Sequence, residues 1–344
     1  MTAKMPVYFH LDQLNHRPLF EWAFGDKINH PETTHRAENI LAAVEEHRES
    51  FELRHPDALP ISVIKSVHNR KMVQAIQAST ALGAEETFYP SVFPYDRNRT
   101  NLDPTNIRHA GSFCFDSGTP LTATTFGAAA WSAGCAIEAT KAVQSGNEKY
   151  AYALCRPPGH HASKDMFGGY CYFNNAAIAA NILRKNGAKV CILDIDFHHG
   201  NGTQSLFYRD PNVLVVNIHG DPNEFYPYFT GYESERGSGA GEGFNVNIPL
   251  PKGVDGQEFI KQLQERGLKE VRAFAPDILV LSAGFDTYVA DPIGAFCLAT
   301  EDFGYVGEAI HALNLPTVVI QEGGYEETSL GRNVTTLLER FLGR

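Results

Sequence analysis

The chain lacks the features that would place it in a membrane, a secretory compartment or on a nucleic acid. No stretch approaches the roughly 18 consecutive apolar residues of a membrane span. The opening segment MTAKMPVYFHLDQ lacks the apolar stretch of a secretory signal. Cysteine is sparse: the six, at 114, 135, 155, 171, 191 and 297, are scattered with no C-x-x-C pair. They read as reduced, buried small hydrophobes rather than as disulfides or a thiolate metal site. Without a secretory signal the N-x-[ST] sequons at Asn98, Asn201 and Asn333 carry no meaning, and a cytoplasmic location is expected. Basic residues are outnumbered, 29 Lys and Arg against 40 Asp and Glu, giving a net charge of −11. That balance argues against a phosphate backbone as partner. It attracts cations instead, small polyamines among them, over about one Debye length. No linker, repeat or low-complexity tract interrupts the 344 residues, so 1–344 is expected to form one domain. No G-x-S-x-G motif suggests a serine hydrolase. The GSGAGEG run within 229–243 fits neither a dinucleotide fingerprint nor a P-loop, and it reads as a flexible connector.

What is present is a regular alternation. Near-continuous apolar runs at 150–155, 190–196, 213–218, 277–283 and 316–321 read as strands. Helical patterns fall at 126–144, 174–186, 256–274, 301–313 and 328–342, and the N-terminal third reads as a strand at 6–10, a helix at 34–48, then strand and helix to 83. Apolar strands separated by helices imply an α/β fold, a parallel sheet covered on both faces. Residues 84–113, rich in Pro, Arg and aromatics, interrupt the pattern, and a loop this long is expected to serve function or an interface.

The polar residues are placed to matter. Arg156 to His161, Asp196 to Asn201, His219-Gly220, Asp286 and Glu322-Gly323-Gly324-Tyr325 each follow a strand. In an open parallel sheet the carboxyl ends of the strands converge on one cleft. Asp196 and His198 are two apart, so in extended geometry both side chains point the same way. With Asp286 they offer two carboxylates and an imidazole, a set for a catalytic Zn²⁺ with Fe²⁺ as a further fit. Asp286 alone could equally cap a helix. His160 and His161 supply proton-transfer groups, with Asp194 and Asn201 as candidate partners. A carboxylate and an amide would give the two rings different basicities. The Tyr325 hydroxyl could polarise a carbonyl opposite the metal.

RPPGHHA (156–162), GGYCYFNN (168–175), DIDFHHGNGTQ (194–204), GFDTYVADP (284–292) and EGGY (322–325) resemble the zinc-dependent histone deacetylase and acetylpolyamine amidohydrolase superfamily. The resemblance covers nearly the whole chain, VHNRKMV at 67–73 included. It implies the arginase/deacetylase fold, a single parallel sheet of about eight strands flanked by helices, and hydrolysis of N-acetyl amides. It implies zinc on Asp196, His198 and Asp286, His161 as general base and then acid, His160 as its electrostatic partner and Tyr325 as the carbonyl-polarising group. Asn201 stands where some members carry Asp. Structural potassium is also implied, one ion at Asp194, Asp196, His198, Asn217 and Ile218, with Asn217 standing where Ser is frequent. A second is implied at the carbonyls of Phe207, Asp210, Val213 and Phe244.

Within the superfamily the chain looks most like bacterial acetylpolyamine amidohydrolases, which implies a small cationic acetylated polyamine as substrate and a homodimer built through 84–113. Tyr170 and Tyr226 match tunnel walls beside Gly169 and Gly323, and Glu21 matches an acid that can meet a distal ammonium. Gly118 falls where that group carries a second acid, with Asp116 close by. Three rivals remain. A protein deacetylase shares the chemistry and differs at the rim. A two-manganese ureohydrolase needs more Asp and His ligands than this chain offers. A non-catalytic acetyl-group binder would not need the full ligand set and Tyr325.

Overall fold

The computed structural model describes residues 4–59, 61–92 and 102–344. Eight strands form one sheet: β1 (Met5–Tyr8), β2 (Phe51–Arg54), β3 (Tyr150–Ala153), β4 (Val190–Asp194), β5 (Val213–Gly220), β6 (Asn245–Leu250), β7 (Ile278–Ala283) and β8 (Thr317–Gln321). Their order is β6-β5-β4-β7-β8-β3-β1-β2, and every neighbouring pair is parallel.

The apolar runs follow from burial on both faces. In β4 every residue is buried. Cys191 and Leu193 face one layer, which holds the helices Thr34–Glu46, Thr300–His311 and Glu327–Phe341. Val190 and Ile192 face the other, where the helices Thr125–Gln144 and Asn175–Lys185 bring Ala136, Ala139, Ala176 and Ala180. Small residues there let helix and sheet approach closely.

The expected elements are present with shifted ends. The 256–274 pattern is two helices, Gly256–Gln262 and Leu268–Phe274, joined by a π turn at Leu263–Gly267. Strand β6 lies where a strand is expected to follow the GSGAGEG run, though NVNIPL alternates Asn with apolar residues rather than forming a continuous apolar run. Its Asn245 and Asn247 are buried and bond to Gln204 Oε1, each at 2.8 Å. His219 and Gly220 lie inside β5 rather than beyond it. The 229–243 segment is closed on itself rather than an open connector: Glu235 accepts from the Gly231 N–H at 2.9 Å, and Gly243 N donates to Arg236 O at 2.6 Å. Within 84–113, Thr87–Phe88 pairs antiparallel with Leu121–Thr122, and Ile107–Phe113 is a 3-10 turn. Residues 93–101, with Phe93-Pro94-Tyr95 and Asn98, lie outside the described residues.

Strands β4, β7, β8 and β3 are contiguous in the sheet. Their carboxyl ends therefore bring together the segments after residues 194, 283, 321 and 153. Among the described residues no helix is long and apolar enough to cross a membrane.

Candidate active site

Asp196, His198 and Asp286 each present one ligand atom, and these lie within 4.8 Å of one another. The extended geometry expected for Asp196 and His198 is not what aligns them, because β4 stops at Asp194. The chain instead turns tightly. Asp194 Oδ1 accepts from the Asp196 N–H at 3.1 Å, and Asp196 Oδ1 accepts from the His198 N–H at 2.9 Å. Short carboxylate side chains favour such turns. Asp286 closes the set from the β7 end, its Oδ1 accepting from the Phe197 N–H at 2.8 Å and its Oδ2 lying 2.9 Å from His198 Nδ1. Gly323 leaves the space open: a Cβ there would sit 2.6 Å from the Oδ2 atoms of both aspartates. Burial pulls the His198 imidazole down, yet bonding to Asp196 and Asp286 overrides it and pushes the ring up to about 10. Two buried carboxylates thus draw a positive charge between them. Two carboxylates and one imidazole around a cleft suit a divalent metal with positions left for water or substrate.

The two histidines find their expected partners. His160 Nδ1 lies 3.0 Å from Asp194 Oδ2, and His161 Nδ1 lies 2.7 Å from Asn201 Oδ1. The expected difference in basicity is present. Burial lowers His160, but the charges of Asp196 and Asp194 override it and raise it to about 10. Burial lowers His161 well below its ordinary value, and the positive charges of His160 and His198 lower it further. Because Asn201 Oδ1 only accepts, the His161 Nδ1 carries the proton and its Nε2 keeps a free lone pair.

Tyr325 is buried in the turn after β8. Glu322, from the expected cluster at 322–325, and Asp291 and Arg36, which the sequence did not single out, hold that turn. Asp291 accepts from the Tyr325 N–H at 2.6 Å and the Glu326 N–H at 3.2 Å, and from Ile293 and Gly294, both at 3.0 Å. Arg36 donates to the carbonyls of Gly324 and Glu322 at 2.5 and 2.6 Å, and its guanidinium lies 4.6 Å from the Tyr325 ring centroid. Glu322, fully buried, accepts from the Gly159 and His160 N–H groups at 2.7 and 3.1 Å and so ties the tandem histidines to β8.

A path of aromatic contacts leads outward. The Tyr170 ring packs edge-on against Tyr325 at 5.8 Å, and Tyr226 packs edge-on against His161 at 5.1 Å. Gly169 is required between them: its φ is +58°, and a Cβ there would meet His161 Cδ2 at 2.3 Å. At the outer end the Tyr170 hydroxyl donates to Glu21 Oε1 at 3.2 Å. Glu21 is 6% exposed, and burial raises its carboxyl to about 7. Asp116 is half-buried and already engaged. Its Oδ2 accepts from the Gly169 N–H at 2.5 Å and the Tyr226 O–H at 2.8 Å, and its Oδ1 from the Gly118 N–H at 3.2 Å. It is a strut of the wall.

Of the residues with implied potassium contacts, Asn217 turns its Oδ1 to the Gly200 N–H at 3.2 Å, and its buried Nδ2 has no partner. An amide therefore brings one acceptor oxygen, as Ser would, together with a donor that a cation cannot use. Ile218 follows it in β5. Phe207, Asp210 and Val213 share one turn: Asp210 N donates to Phe207 O at 2.9 Å and Val213 N to Asp210 O at 3.5 Å. Phe244 O lies alongside, accepting from Val215 N at 3.0 Å.

The model of the histone deacetylase domain matches residues 30–341. An acetylpolyamine amidohydrolase of Burkholderia pseudomallei is 41% identical, covering 98% of this chain and 98% of that protein. Acetylpolyamine amidohydrolase 2 of Pseudomonas aeruginosa is 42% identical over 85% of this chain and 86% of its own. Among solved structures, the crystal structure of acetylpolyamine aminohydrolase from Burkholderia pseudomallei superposes with a TM-score of 0.91 at 41% identity, covering 98% of each chain.

Proposed function

The chain belongs to the histone deacetylase family, and from that premise we propose that it is a metal-dependent amidohydrolase that deacetylates acetylated polyamines of the acetylputrescine, acetylcadaverine and acetylspermidine class. The observation that carries the polyamine reading is Glu21. A carboxylate only 6% exposed, paired with no cation among the described residues, stands at the outer end of the aromatic path. An unpaired buried charge is costly, and a substrate ammonium at that point offsets the cost. Similarity along nearly the full length to acetylpolyamine amidohydrolases supports the same reading.

Asp196, His198 and Asp286 would hold the metal, Zn²⁺ or alternatively Fe²⁺. When bound, such an ion supplies Lewis acidity and lowers the pKa of water. In this reading the free Nε2 of His161 takes the proton of the attacking water and returns it to the departing amine. His160, held protonated against Asp194, stabilises negative charge beside it. The Tyr325 O–H donates to the substrate carbonyl oxygen as that oxygen gains charge. Tyr170, Tyr226, Gly169 and Gly323 shape the tunnel. Potassium would be structural, at Asp194, Asp196, His198, Asn217 and Ile218 and at Phe207, Asp210, Val213 and Phe244. We read 1–344 as one catalytic domain, cytoplasmic, and dimeric through the 84–113 segment.

The test is a comparison of kcat/KM for acetylputrescine, acetylcadaverine, N1-acetylspermidine and an acetyl-lysine peptide. The reading expects at least one acetylpolyamine to exceed the peptide. A preference for the peptide replaces it with a protein deacetylase on the same scaffold.

A further inference from the structure

The outer end of the path contains a space that one residue keeps open. Glu21 sits on a short hairpin, Phe20–Ala23 paired with Asp26–Asn29. The facing loop is fixed to that hairpin at two points. Ser117 Oγ donates to Trp22 O at 2.8 Å, and His30 Nε2 lies 3.1 Å from Gly118 O. Burial lowers the His30 imidazole to about 4, so the ring is neutral and its Nε2–H is the donor. The backbone around Gly118 is therefore anchored rather than free to retreat. A Cβ at Gly118 would lie 2.7 Å from Glu21 Oε2 and 3.5 Å from Tyr170 Cε1. The nearer atom is the tip of a flexible side chain, so the carboxylate, not the backbone, would give way. Moving it also strains its bond from the Tyr170 hydroxyl.

We propose that Gly118 is a specificity-determining position: by carrying no side chain it leaves the Glu21 carboxylate its recess beside Tyr170, and the mouth favours a linear acetyl-diamine with one terminal ammonium over the same amide ending in a methyl group. Asp116 is held in the wall by the Gly169, Tyr226 and Gly118 donors, so Glu21 is the carboxylate whose place the residue at 118 controls. This inference rests on the polyamine reading of the same site.

The measurement is the ratio of kcat/KM for N-acetylputrescine to that for neutral N-pentylacetamide, in the wild type, Gly118→Ala, Glu21→Ala and the double variant. The wild-type ratio is expected to be on the order of tenfold or more. A wild-type ratio near one overturns the polyamine reading and this inference with it. With the wild-type preference intact, Gly118→Ala is expected to bring the ratio severalfold toward one. In the Glu21→Ala background, where no carboxylate is left to displace, the same change should move the ratio less than twofold. An unchanged ratio in Gly118→Ala overturns the inference and leaves the polyamine reading standing, as does an equal effect in both backgrounds. Should Gly118→Ala alone fail to fold, the double variant decides: restored folding supports the direct contact, and a double variant equally impaired contradicts it.

Discussion

His160 and His161 are adjacent in sequence, yet one is held up to about 10 and the other well below its ordinary value. The charges of Asp196 and Asp194 raise the first against burial, whereas burial and the neighbouring His160 and His198 lower the second, whose Asn201 amide partner offsets them only in part. His161→Ala should lower kcat on acetylputrescine by about 10²–10⁴ with a much smaller change in KM, because a general base acts in the chemical step. Tyr325→Phe should lower kcat by about 10²–10³, the usual effect of losing one oxyanion donor. Steady-state kinetics check both, and near-normal kcat in either variant contradicts the role given to that residue. These residues were legible because Asp-x-Asp-x-His-His and His-His are dense local patterns. Asp291 and Arg36 were not, since they hold the Tyr325 turn through backbone groups that no side-chain motif records.

The turns after the strands do as much as the strands. Asp291 joins two of them through four backbone N–H groups, those of Ile293, Gly294, Tyr325 and Glu326. Removing that carboxylate leaves the buried Tyr325 N–H and three part-buried donors unpaired, at about 1–3 kcal/mol for each one that water does not reach. Asp291→Ala should therefore lower stability by about 2–4 kcal/mol and reduce kcat through a loosened Tyr325. Denaturant unfolding together with kinetics tests this, and an unchanged midpoint with unchanged kcat contradicts it. The strands beside the site were legible as apolar runs because both their faces are covered. Strand β6 stood out less, without readable bounds, because Asn245 and Asn247 point into a buried polar network around Gln204 rather than into the apolar core. The alignment of Asp196 with His198 was expected for the wrong reason: strand periodicity suggested it, and a tight turn beyond the strand produces it.

At the scale of the molecule, the strand order puts four carboxyl ends side by side and so assembles one site from segments spanning residues 156 to 325. The parallel class was readable from the alternation of strands and helices. The order itself was not, because pairing between distant strands leaves no local trace. The central claim is that this convergence builds one catalytic metal site. Its most direct test is elemental analysis of the purified protein beside activity on acetylputrescine, for the wild type and for Asp286→Ala. The account predicts one zinc or iron per active chain, with metal and activity lost together in the variant, because an open site has no spare ligand. Two transition-metal ions per active chain, or full activity in a variant that retains no metal, would contradict it.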